Sequence, residues 1–125
     1  MPQRALQARP EAVADARRHV RDRLDGLLTP DRLSEVELLT SELFTNAVRH
    51  ARLKEGDPIS LYIDVDTDTV HVAIVDAGAG FDFSKIFDEA RDPPGGWGLI
   101  LVGKLSDRWE IDASPPHTVW FEIDR

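Results

Sequence analysis

Apolar residues recur every three or four positions along two stretches of the first half of the chain, the spacing of helices with one buried face. From Glu11 to about Leu28, Val13, Ala16, Val20, Leu24 and Leu27 follow Pro10 at this interval and predict a first helix. Thr29-Pro30 reads as the next helix start, with Thr as N-cap and Pro at the first helical position. Leu33, Val36, Leu39, Leu43, Ala47 and Ala51 then keep one stripe, so a second helix runs to about Ala51. After the loop residues Gly56, Asp57 and Pro58 the period drops to two. The run 59–65 alternates apolar and polar residues, Asp66-Thr-Asp is a turn, and 69–75 is a second strand, which predicts an antiparallel hairpin.

The second half is punctuated by glycine. The strand ending at Val75 leads into Asp76-Ala-Gly-Ala-Gly-Phe81, and residues 82–94 mix acidic and aromatic side chains as a mobile loop would. Gly95-Gly-Trp-Gly-Leu99 opens a third helix to about Leu105. Two closing strands, 108–113 and 118–123, flank Ser114-Pro-Pro-His117, with Trp109 and Trp120 expected in the core. Paired antiparallel strands with segregated helices make an α+β two-layer sandwich.

A length of 125 residues suits one domain, 1–125, and 42% apolar residues suffice for one core. The formal charge of −8 argues against a nucleic-acid binder, which needs a basic face. Small molecules or proteins are the expected partners. Arg17, Arg18, Arg21 and Arg23 still make the first helix locally basic, as a solvated face or as a protein-docking face. With no cysteine, disulfide, zinc-thiolate and thiol chemistry are excluded. The N-terminus lacks the apolar core of a signal peptide and no apolar run suits a bilayer span, so a cytoplasmic chain is expected. His19, His50, His71 and His117 lack metal-ligand spacing. Asp64, Asp66 and Asp68 lack the Gly and closing Glu of a calcium loop and read as a solvated turn.

Three constellations carry chemistry. Glu42, Asn46 and His50 stand four residues apart and so share one side of the second helix. The carboxylate can accept a proton, and the neutral amide oxygen is a hard ligand suited to Mg²⁺. The same spacing also fits a solvated helix edge. Asp76-x-Gly78-x-Gly80 at a strand end lets backbone approach a ligand while Asp accepts from an exocyclic amine, or it is a capped turn. It is neither a dinucleotide fingerprint nor a Walker loop. Gly95, Gly96, Gly98 and Leu99 at a helix start suit phosphate binding by backbone N–H groups, or a hinge.

The order Glu-Leu-x-x-Asn-Ala-x-x-His, Asp-x-Gly-x-Gly-Phe, Gly-Gly-x-Gly-Leu and Thr-Val-Trp-Phe, over residues 41–123, resembles the GHKL ATPase family. The short N-terminal helix with Arg17 resembles its anti-sigma factor serine/threonine kinase branch. The resemblance implies a mixed, mostly antiparallel sheet with helices on one face and ATP held between the helices and a lid. It implies that Asn46 coordinates Mg²⁺ and that Glu42 is the general base. Asp76 would bind the adenine amine, Gly78 and Gly80 would shape its pocket, and Thr118 would support the adenine end. His50 and Leu99 belong to the same motifs, and Gly95, Gly96 and Gly98 would lie against the phosphates. Trp97 and His117 depart from the branch pattern, and Lys85 and Arg91 are the only cations of the lid segment. The implied activity is phosphorylation of an anti-sigma factor antagonist on serine or threonine, with sequestration of a sigma factor and a homodimeric state. The alternative is an ATP-binding regulatory module that acts by gripping a protein without kinase turnover. A detached histidine-kinase catalytic domain is a third reading, disfavoured by the lack of a preceding dimerisation helix with a phospho-accepting histidine.

Overall fold

The computed structural model describes residues 3–7, 9, 11–50, 58–76, 102–112 and 117–125. Strand β1 (Gln3–Gln7) is followed by helices α1 (Ala12–Leu24) and α2 (Pro30–His50). The hairpin β2 (Pro58–Val65) and β3 (Thr69–Asp76) comes next, and β4 (Arg108–Asp112) and β5 (His117–Asp124) close the chain. Residues 102–105 are helical, the end of the expected third helix.

The strands form a five-stranded sheet in the order β1-β2-β3-β5-β4, with each of these neighbouring pairs antiparallel. β1 was not foreseen. Its Gln-Arg-Ala-Leu-Gln sequence has no β-branched residue and only Leu6 is described as buried, so it carries almost no strand signal. Its partner is the exposed edge of β2, in the register Gln3↔Tyr62 to Gln7↔Pro58.

Two-residue periodicity divides the sheet into faces. Ile59, Leu61 and Ile63 of β2, Val70, Val72 and Ile74 of β3, and Phe121 and Ile123 of β5 are buried toward the helices. Ala16, Val20 and Leu24 of α1 and Val36, Leu39, Leu43, Phe44 and Ala47 of α2 complete this core. α1 lies over β1 and β2, and α2 over β3. The α+β two-layer sandwich with helices on one face is thus observed. Trp109 packs against the core as expected. Trp120 does not, because it is the immediate neighbour of the inward-facing Phe121 and so takes the opposite face; it is half-buried there, its ring centroid 5.2 Å from that of His71.

The turns follow their sequences. Gly26, at φ 78°, takes the left-handed conformation that reverses the chain after α1. Thr29 Oγ1 accepts from Arg32 N–H at 3.3 Å, the expected N-cap of α2. Asp66 Oδ1 accepts from Asp68 N–H at 2.9 Å and from Thr69 N–H at 2.7 Å. That aspartate therefore braces its own turn, and no metal-binding group of acidic or histidine residues occurs among the described residues.

Candidate functional site

Two elements that pack on each other, α2 and β3, carry the candidate residues described by the structure. Asn46 sits four residues beyond Glu42, one turn along the same row. Glu42 is half-buried, whereas Asn46 is 2% exposed. Neither Asn46 Oδ1 nor Nδ2 has a hydrogen-bond partner among the described residues. A primary amide buried in this way loses its water and gains nothing in return, at about 1–3 kcal/mol. Native interiors rarely leave such a group unpaired, so the amide fits a ligand that binds after folding. Its oxygen is the kind of donor Mg²⁺ takes, since this ion keeps most of its water and needs few protein ligands.

Asp76 extends the inner row of β3 beyond Val70, Val72 and Ile74 and is 6% exposed. A carboxylate this deep at a strand end can accept a hydrogen bond from an amine-bearing ring. In register it faces Ile59 on one neighbour and position 117 on the other.

Thr118 of β5 pairs with Val75 and Asp112, one residue out of phase with Asp76, and position 117 is the one paired with Asp76.

The backbone of His50 closes α2, but its side chain lies outside the described residues. Gly78, Gly80, Gly95, Gly96, Gly98 and Leu99 lie outside them too, as do Lys85, Arg91 and Trp97. Among the described residues, then, α2 carries Glu42 and Asn46, the end of β3 carries Asp76, and Thr118 lies on the neighbouring strand β5.

The outer face carries a separate charged network. Arg108 Nε donates to Glu122 Oε1 at 2.7 Å, and His71 Nδ1 lies 3.1 Å from Glu122 Oε2. The Arg108 guanidinium, and secondarily His71, hold the Glu122 carboxyl below its usual range. Arg108 also donates to Asp124, and its own proton is held more tightly as a result. On α1, Ala14, Arg17, Arg18 and Arg21 line a shallow groove. Among the described residues no helix is long and apolar enough to cross a membrane.

Comparison with known proteins places this architecture. The chain is 30% identical over 103 residues to the serine-protein kinase RsbW of Staphylococcus aureus, 73% of this chain and 65% of that protein. Another Staphylococcus aureus RsbW is 32% identical over 91 residues, 63% of this chain and 57% of that protein, so the chain spans under two thirds of these relatives. A solved structure of the RsbU and RsbW domains of a Mycobacterium tuberculosis protein shares the fold at TM-score 0.68 and 18% identity, covering 100% of this chain and 33% of that one. The mycobacterial sensor histidine kinase MprB shares it at TM-score 0.56 and 17% identity, covering 98% of this chain and 97% of that one. Residues 6–121 match the histidine kinase-like ATPase domain, and the chain belongs to that family, on the side of it that holds the RsbW kinases.

Proposed function

We propose that the protein binds ATP with Mg²⁺ and phosphorylates a serine or threonine of an anti-sigma factor antagonist, and that it also sequesters a sigma factor and so regulates transcription. The observation that carries this reading is the buried amide of Asn46, without a hydrogen-bond partner among the described residues, one helical turn from a half-buried carboxylate. Bound Mg²⁺ would neutralise charge on the phosphates. Asn46 would hold that ion through Oδ1. Asp76 would accept a hydrogen bond from the exocyclic amine of adenine and exclude bases that lack a donor there.

Glu42 would take the proton of the acceptor hydroxyl as its oxygen bonds to the γ-phosphorus and the bond to the β-bridging oxygen breaks, releasing ADP. Phosphoryl transfer needs little covalent help from protein; positioning and charge neutralisation dominate it. One carboxylate at the mouth of the site and one metal-holding amide beneath it meet that demand. The basic groove on α1 would receive the protein partner.

The test joins calorimetry to label transfer. Wild type should bind ATP in a Mg²⁺-dependent manner, and Asn46→Ala should lose that dependence. With γ-labelled ATP and an antagonist protein, label should appear on serine or threonine and vanish in Glu42→Gln, which keeps nucleotide binding. Binding without label on any partner would favour the regulatory module that grips without turnover. Absence of ATP binding by wild type would withdraw the nucleotide reading.

A further inference from the structure

Both α1 and α2 pack on the inner face of the sheet, so the outward positions of its strands form a second surface. In one row of that surface the register sets Tyr62, Ala73, Trp120 and Glu110 side by side. Tyr62 and Trp120 are half-buried, and Ala73 between them is 8% exposed, so two aromatic side chains flank a methyl floor. The next row is Asp64, His71, Glu122 and Arg108. Arg108 is the only arginine or lysine in the two rows, and Glu122 and Asp124 already hold it. His71 is engaged by Glu122 and lies against Trp120. Asp64 and Glu110 are exposed, and neither has an ion-pair partner among the described residues. The surface is thus aromatic at its centre and acidic at two of its corners, in a chain of net charge −8.

We infer that this outer face docks an extended basic protein segment, with an apolar side chain on the Tyr62–Ala73–Trp120 row and one cation at each of Asp64 and Glu110. The charges select the occupant. A second copy of this chain would set these carboxylates against their like, and nucleic acid or an anionic lipid surface would be repelled. Asp64 and Glu110 stand three strand spacings and two residues apart in register, about 16 Å. Extended chain advances about 3.3 Å per residue and turns alternate side chains to one face, so the partner's cations stand about four residues apart. Lysine stems reach the remaining distance. The residue midway between the cations faces the sheet as well and falls beside Ala73 and Trp120. A cation passing over either ring gains further from its face. The surface lies across the sheet from Glu42 and Asn46, so it does not depend on the kinase reading.

Fluorescence anisotropy with the full chain tests this, using the dye-labelled peptide Lys-Gln-Phe-Gln-Lys, its analogue with alanine for phenylalanine, and Glu-Gln-Phe-Gln-Glu. Wild type should bind the first about tenfold more tightly than the alanine peptide, and should not bind the glutamate peptide. Asp64→Asn and Glu110→Gln should each weaken the lysine peptide about threefold. Asp22→Asn, which neutralises an exposed acid on α1, should leave its binding unchanged. The double variant Asp64→Lys, Glu110→Lys should reverse the preference in favour of the glutamate peptide. Both neutralising changes on the sheet are isosteric and exposed, so a folding defect does not mimic their effect. No binding by wild type, equal weakening by Asp22→Asn, or binding indifferent to Asp64 and Glu110 overturns the inference. Sedimentation velocity covers the other occupant: self-association that Trp120→Ser abolishes assigns the face to a second copy and overturns the inference too.

Discussion

Replacing Asn46 by leucine should make the protein more stable and unable to respond to nucleotide. Leucine keeps the branched shape of asparagine but exchanges the amide oxygen and nitrogen for methyl groups. In the wild type both amide atoms are buried without a hydrogen-bond partner among the described residues, on a side chain that is 2% exposed. Relieving that desolvation should stabilise the ligand-free protein by about 1–3 kcal/mol. For a domain of this size each kcal/mol raises the melting temperature by about 4 °C. Urea unfolding without ligand measures the gain, and repeating it with Mg-ATP measures the response. At a nucleotide concentration 100 times its dissociation constant, wild type should gain about 2.7 kcal/mol and Asn46→Leu nothing. Thr40 supplies the control: it is fully buried, and its hydroxyl also lacks a partner among the described residues. Thr40→Val should stabilise by about 1 kcal/mol and leave the nucleotide response intact. An Asn46→Leu variant less stable than wild type, alongside a stabilised Thr40→Val, would refute the reasoning, because the amide would then be satisfied in the folded state.

Glu122 should make stability depend on pH: its carboxyl is held low by Arg108 and then His71, so its contribution is complete above the usual carboxylate range near pH 4 and is lost as pH falls further. The stability gap between wild type and Glu122→Gln in urea should therefore be widest near neutral pH and close on acidification. Arg125 donates through Nη1 to Asp66 O at 2.8 Å and through Nη2 to Leu27 O at 3.1 Å, and Arg125→Ala should cost about 1 kcal/mol by thermal melting. Thr29→Ala removes the cap of α2 and should cost about 1 kcal/mol in urea, with Thr29→Ser restoring most of it.

Helix positions were legible because each helix presents one apolar stripe, and α1 and α2 begin within a residue of where the pattern and the Thr29-Pro30 start signal put them. The hairpin was legible from the alternation of the first strand, the apolar, β-branched run of the second and the turn at Asp66 between them. β1 was not, since an edge strand with one inward apolar residue leaves almost no pattern. The row of Glu42 and Asn46 could be drawn from spacing alone, but not its gradient of burial. Residues 42 and 46 differ by about 40° around the helix, and only the packing of α2 on β3 decides which of them is enclosed. Leu38 lies off the stripe of Leu33, Val36, Leu39 and Leu43, and its exposure agrees with the helical period.

The last residue gives the sandwich a mechanical axis. Arg125 ties the turn after α1 to the β2–β3 turn through both guanidinium nitrogens, and its N–H donates to Asp68 O at 2.8 Å. Asp124 N–H donates to Asp107 Oδ2 at 2.7 Å, and Arg32 of α2 reaches the same carboxylate at 4.0 Å. All of these ties gather at the Thr69 end of β3, the end farthest from Asp76. Helices and sheet are thus tied together at that end, and losing Arg125 would release the turn after α1 and the β2–β3 turn at once.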